Sequence, residues 1–168
     1  LSVDYFMDWL FNSKVGIAAE FGTGDADAQS LYEGNTAGNY TQFTPITGGG
    51  GGMIFSTGIS NIVTGNVNYS IKPFEWLPVP FIQNMQVVAA YMPFFRIVDG
   101  PTAVSGISPD FTGNYLGSEI DLTMNIRPLS DLGVIAQIGY FIPNATAFAG
   151  SSMESPTFMA KLNASISF

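Results

Sequence analysis

The stretch Phe158-Met-Ala-Lys-Leu-Asn-Ala-Ser-Ile-Ser-Phe168 closes the sequence and decides how the rest is read. Phe158, Ala160, Leu162, Ala164, Ile166 and Phe168 fall on one face and are all apolar, whereas Met159, Lys161, Asn163, Ser165 and Ser167 fall on the other. Side chains alternate across a β-strand with period two, so this segment is a strand with one apolar and one mostly polar face. At 11 residues it has the length of a tilted strand that crosses a bilayer, about twice that of a common sandwich strand.

The same pattern recurs upstream. Leu132, Val134, Ala136, Ile138, Tyr140 and Ile142 oppose Gly133, Ile135, Gln137, Gly139 and Phe141. Before them, Leu116, Ser118, Ile120, Leu122, Met124 and Ile126 oppose Tyr115, Gly117, Glu119, Asp121, Thr123, Asn125 and Arg127. Val63, Gly65, Val67, Tyr69 and Ile71 alternate with Thr64, Asn66, Asn68, Ser70 and Lys72, and residues 53–61 are expected to extend that strand outward. Residues 84–98 are less clean. Val87, Ala89 and Tyr91 suit the apolar face, but Val88 and Met92 intrude on the other, and Pro93 is expected to mark an edge or a bulge. Near the start, Val15, Ile17, Ala19 and Phe21 alternate with Gly16, Ala18, Glu20 and Gly22, and residues 1–10 alternate likewise. Seven strands are therefore expected, near 1–10, 14–22, 53–72, 84–98, 115–127, 131–142 and 156–168, in a single unit spanning 1–168.

Charged residues make up only 11% of the chain, against about 25% in ordinary soluble domains. The uncharged run Trp76–Phe95 is long enough to span a membrane as a helix, but Pro78, Pro80 and Pro93 break it. A closed barrel is the other way to satisfy a backbone in hydrocarbon. The connections support it. Leu10–Lys14, Pro73–Gln83 and Arg127–Asp131 are the shorter ones, whereas 23–52, 99–114 and 143–155 are long and rich in Gly, Ser, Thr and Asn. Short and long alternate strictly, as periplasmic turns and external loops do in outer-membrane barrels. The expected fold is all-β, an antiparallel transmembrane β-barrel. Seven is odd and such barrels have even counts, so the chain is expected to be the C-terminal part of a larger barrel, with at least one outward-running strand before Leu1.

Absences narrow the chemistry. The sequence has neither Cys nor His, which removes disulfides, thiolate metal sites and Ser-His-Asp catalysis. A net charge of −8 with five scattered basic residues argues against nucleic acid as a partner. Gly24-Asp-Ala-Asp27 lacks the later Glu of a calcium loop, and the glycines at 48–52 precede no Lys-Ser/Thr. Glu119 and Asp121 share a strand face but lack a nucleophile, so no catalytic residue, metal or cofactor is expected. Charged residues of the polar register are expected to line a pore: Glu20, Lys72, Arg96, Glu119, Asp121, Arg127 and Lys161; the alternative is that they pair across strands in a filled interior, where Arg127 or Lys161 could hold Glu119 and Asp121. The three long loops carry Asp25, Asp27, Glu33, Asp99, Asp110 and Glu154 and no Lys or Arg, an acidic rim. Trp9, Trp76 and Phe168 are placed at the inner membrane boundary, and Tyr115 and Tyr140 at the outer one.

Asn114-Tyr-Leu-Gly-Ser-Glu-Ile-Asp-Leu122 followed by Leu132-Gly-Val-Ile-Ala-Gln-Ile-Gly-Tyr-Phe-Ile-Pro143 resembles the last strands of alginate-export-type, porin-like outer-membrane channels. Phe55-Ser-Thr-Gly-Ile-Ser-Asn-Ile62 and Tyr69-Ser-Ile-Lys-Pro73 suit the same pattern. The resemblance implies a barrel of about 18 strands in the bacterial outer membrane that passes polysaccharide or other solutes. The expected function is a passive channel and not an enzyme, with membrane lipid and the remaining strands of the barrel as partners. The alternative is a structural barrel with a closed lumen that anchors a surface assembly.

Overall fold

The computed structural model describes residues 1–32, 40–44 and 51–167. Within them lie seven strands: β1 (Ser2–Met7), β2 (Ser13–Gly22), β3 (Ile62–Ile71), β4 (Gln86–Arg96), β5 (Tyr115–Ile126), β6 (Leu132–Pro143) and β7 (Thr157–Ile166). One short helix, α1 (Pro80–Gln83), interrupts the connection before β4. The strands form a single antiparallel sheet in sequence order, with β1 and β7 as its edges. The sheet is open: these seven strands do not close into the expected barrel. Phe168 lies outside the described residues.

Register turns the alternation of each strand into two continuous faces. Phe6, Lys14, Ser70, Val88, Thr123, Gln137 and Lys161 are paired in succession from β1 to β7. The neighbouring row, on the opposite face, is Tyr5, Val15, Tyr69, Ala89, Leu122, Ile138 and Ala160. The next row on that face is Val3, Ile17, Val67, Tyr91, Ile120, Tyr140 and Phe158. This face is apolar from edge to edge and yet uncovered, with Val3 65%, Phe158 63% and Leu162 73% exposed.

Three expectations change, two of them strand boundaries and one a register, each for a backbone reason. The first strand stops at Met7 rather than near residue 10, because Phe11 and Asn12 take left-handed conformations (φ 50° and 43°) in the turn to β2. Residues 53–61 do not extend β3. Asn61 (φ 54°) breaks the extended path just before Ile62, and 51–56 instead form a small hairpin, bridged Gly51 to Ser56, over the polar face. The third change lies in β5. Register shifts there, so that Phe94 opposes Gly117 and Phe95 opposes Tyr115, leaving Leu116 as the extra residue of a bulge. Leu116, expected on the apolar face, is fully buried in the core instead, and Tyr115 packs against Phe95 at 5.4 Å. The bulge falls one residue beyond Pro93, which pairs with Ser118 and whose carbonyl accepts from Thr64 Oγ1 at 3.1 Å.

The core sits on the nominally polar face, at the end where the long loops gather. Phe55, Met92, Phe94, Phe111, Leu116, Phe141, Ala147 and Phe148 form it, drawn from strands and loops alike. Gly117 makes the bulge possible: its φ is 154°, and a Cβ there would lie 2.7 Å from the Ile142 carbonyl oxygen and 2.8 Å from the Phe141 ring. Gly117→Ala should therefore lower unfolding stability by roughly 1–3 kcal/mol. Gly65→Ala, where an added Cβ meets Pro93 only at 3.7 Å, should stay within about 0.5 kcal/mol, and urea titration of the two variants reads the difference.

Candidate functional site

Polar-register residues of β4, β5 and β6 converge beneath the 51–56 hairpin. Glu119 is paired with Phe141 of β6 and Met92 of β4, and Asp121 with Gly139 and Ala90. Small residues on either side of Asp121 leave room above the sheet. The hairpin tip fills part of it: Ile54 N–H donates to Glu119 Oε1 at 2.6 Å, Phe55 N–H to Oε2 at 2.7 Å, and Met53 N–H to Asp121 Oδ2 at 3.0 Å. Three successive backbone N–H groups thus cradle an internal pair of carboxylates, the arrangement by which backbone nests bind anions. Glu119 is 0% exposed. Charge-assisted bonds to both oxygens offset a desolvation cost that is otherwise several kcal/mol.

Glycine is required at position 52 by close approach. A Cβ there would overlap the Glu119 carboxylate. At the base of the hairpin Phe55 stacks on Phe141 (4.8 Å, 15°) and tilts against Phe94 (4.5 Å), and Phe148 closes the cluster edge-on at 6.3 Å from both Phe55 and Phe141. The hairpin is therefore tied by carboxylates at its tip and by aromatic packing at its base.

The expected pore-lining residues separate into distinct places. Asp121 and Lys161 share a hollow of about 420 Å³ with Met53, Thr123 and Gln137 on one side of the hairpin. Glu20 lines a smaller one of about 280 Å³ on the other side, with Asn66 and Asn68. Lys72 and Arg127 belong to a third, about 870 Å³, at the short-turn end, walled by Phe81, Gln86, Asn125 and Leu129. Arg96 lies apart from these three, beside a recess of about 490 Å³ that the long-loop residues Asp99, Thr102 and Ile107 also line. It is buried at the end of β4, donates to the carbonyls of Phe111 (2.8 Å) and Gly113 (3.0 Å), pairs with Asp99 at 3.0 Å and lies over the Phe111 ring. Arg127 and Lys161 do not hold the two carboxylates; the hairpin backbone does.

Polar atoms at the long-loop end are tied within the fold. Asn61 Nδ2 reaches the carbonyls of Val98, Gly100 and Pro101, and its Oδ1 accepts from Val98 N–H. Gln42 bridges Ser60 and Pro101, and Asp25 accepts from Thr41 N–H. Of the acidic rim, Glu33 lies outside the described residues, as do Gly48, Gly49 and Gly50 of the glycine run. Trp9 and Trp76 stand exposed in the connections of the short-turn end, while Tyr115 and Tyr140 lie on the apolar face near the long loops.

No family model matches this sequence, and no curated protein matches it. The site is thus described by its own geometry. Among the described residues no helix is long and apolar enough to cross a membrane. That says nothing of strands, which cross a membrane as a barrel.

The aromatic cluster and Gly52 were not among the expected site residues. Met92 and Phe141 at polar-register positions were the visible signal, since apolar groups there need a cover. Gly52→Ala should push the hairpin tip off Glu119. Hydrogen–deuterium exchange at Met53, Ile54 and Phe55 should rise about tenfold or more, corresponding to about 1.4 kcal/mol of lost protection, with strand β6 unchanged.

Proposed function

We propose that this chain is a sector of a bacterial outer-membrane β-barrel whose polar face borders a passage for solutes, crossed by passive diffusion and without catalysis. One observation carries the reading: a seven-stranded sheet whose uncovered face is apolar across whole rows while the opposite face carries its Asn, Gln, Thr and charged residues. Soluble monomers rarely expose a contiguous apolar patch beyond a few hundred Å². Lipid is the partner that such a face fits, with each inner strand paired to a neighbour on both sides. Trp9 and Trp76 at one end, and Tyr115 with Phe95 at the other, suit the headgroup levels. Further strands complete the wall along β1 and β7. The likeness to alginate-export-type channels rests on the segments that form β5 and β6, and their solute is not carried over.

A second reading has its own support. Phe55, Phe94, Phe141 and Phe148 fill the long-loop half of the polar face, which suits a structural barrel with its lumen closed on this side. Conductance in planar bilayers separates the two: solute passage gives steady ohmic steps from the barrel purified from membranes, and a closed barrel gives none.

Membrane residence has a separate test. Leu122 lies near the middle of β5 on the apolar face, and Thr123 beside it faces the other way. In lipid, Leu122→Arg should cost about 2–4 kcal/mol of folding free energy and Thr123→Arg far less. If the apolar face met water instead, Leu122→Arg would change stability by no more than about 0.5 kcal/mol. Urea unfolding into and out of phosphatidylcholine vesicles reads the difference.

A further inference from the structure

The 51–56 hairpin has two anchors of different chemistry. Its base is apolar, since Phe55 is buried among Phe94, Phe141 and Phe148. Its tip is polar, held through Met53, Ile54 and Phe55 N–H by Asp121 and Glu119. Among the described residues no other hydrogen bond joins 51–57 to a strand. Hollows of about 420 and 280 Å³ lie on either side of the tip, both bordered by Gly51. The tip is thus pinned from below by the carboxylates, with the Ile54 side chain also packed against the apolar core.

We propose that Glu119 is a positioning residue that pins the Met53–Ile54 tip across the polar face and so sets the width left for a passing solute. The proposal rests on the channel reading above. Two bonds end on Glu119, one on each oxygen, and neither oxygen serves a basic side chain. An amide in its place presents N–H to N–H at one of those bonds. The tip then loses one of its three bonds, with Asp121 still holding Met53 N–H, while Phe55 keeps the base seated, so a loosened tip and a change of width are expected rather than loss of fold.

The geometry also supplies a way to pin the tip again. A Cβ built at Gly139 lies 3.3 Å from Met53 Cβ, close to the roughly 3.5–4.5 Å that a disulfide spans between Cβ atoms. It also lies 2.8 Å from Asp121 Oδ1, so the Asp121 carboxylate has to shift, and the reduced Cys pair in the otherwise unmodified protein is the control. The chain has no cysteine of its own, so Met53→Cys with Gly139→Cys adds the only two thiols.

The experiment measures single-channel conductance and exclusion of neutral polyethylene glycols in planar bilayers, using the full protein purified from membranes. Glu119→Gln should raise conductance about twofold and admit larger polymers. In the Glu119→Gln background the oxidised Cys pair should return both values to those of the unmodified protein, and reduction should release them again. Gly52→Ala, which displaces the tip with Glu119 intact, should act in the same direction as Glu119→Gln and serves if that variant does not fold. Equal conductance of the unmodified protein, Glu119→Gln and Gly52→Ala overturns the role of Glu119 while leaving the channel reading in place. So does a Cys pair that cannot be oxidised, or one whose oxidation changes nothing. Absence of conductance from every folded form overturns the channel reading and the width-setting role with it.

Discussion

A β-strand hands its backbone N–H and C=O groups to its neighbours, and seven strands paired in succession leave those groups open only along β1 and β7. Everything else in the molecule follows from that continuous pairing. Because side chains alternate with period two, a register that runs unshifted from β1 to β3 and on through β6 to β7 sorts the sequence into two surfaces. One surface carries apolar side chains from β1 to β7. The other is free to carry carboxylates, amides and an infolded hairpin. The single shift noted between β4 and β5 comes at the long-loop end, where Leu116 is turned from the first surface to the second and completes the aromatic core.

The faces were legible from sequence because they are local: each needs only the identity of every second residue. Strand number, order of short and long connections and the sides of Glu119, Asp121, Thr123 and Lys161 could all be read that way. The site itself was not. Glu119 invited a search for Lys or Arg, but its partners are backbone N–H groups of residues 54 and 55, which carry no signature in the side-chain alphabet. Arg96 shows the converse. Its register position points toward the polar face, yet it sits where the chain turns back through 99–114, and the carbonyls of Phe111 and Gly113 claim it. The core assembled from Phe55, Phe94, Phe141 and Phe148 joins segments far apart in sequence, and the two loop members obey no period. Met92 and Phe141, apolar at polar-face positions, were the legible half of that contact.

The polar face is consequently divided along the strand direction. Toward the long loops it is dry, filled by aromatic rings and by backbone bound to carboxylates. Toward the short turns it is hollow, with Gln86, Asn125, Lys72 and Arg127 around an open volume of about 870 Å³. The hairpin marks the boundary between these halves, and Gly52, Gly139 and Ala90 are small where it and the carboxylates approach the sheet.

An antiparallel succession of seven has a directional consequence. β1 and β7 point the same way, so the two free edges are not complementary to each other. Copies of this sheet set side by side would meet along a parallel seam, whose slanted hydrogen bonds differ from those of every other pair. Antiparallel closure at both edges requires an intervening set of strands that is odd in number. The sheet therefore carries a polarity: its edges select strands running opposite to their own, and a second copy in the same orientation does not supply them.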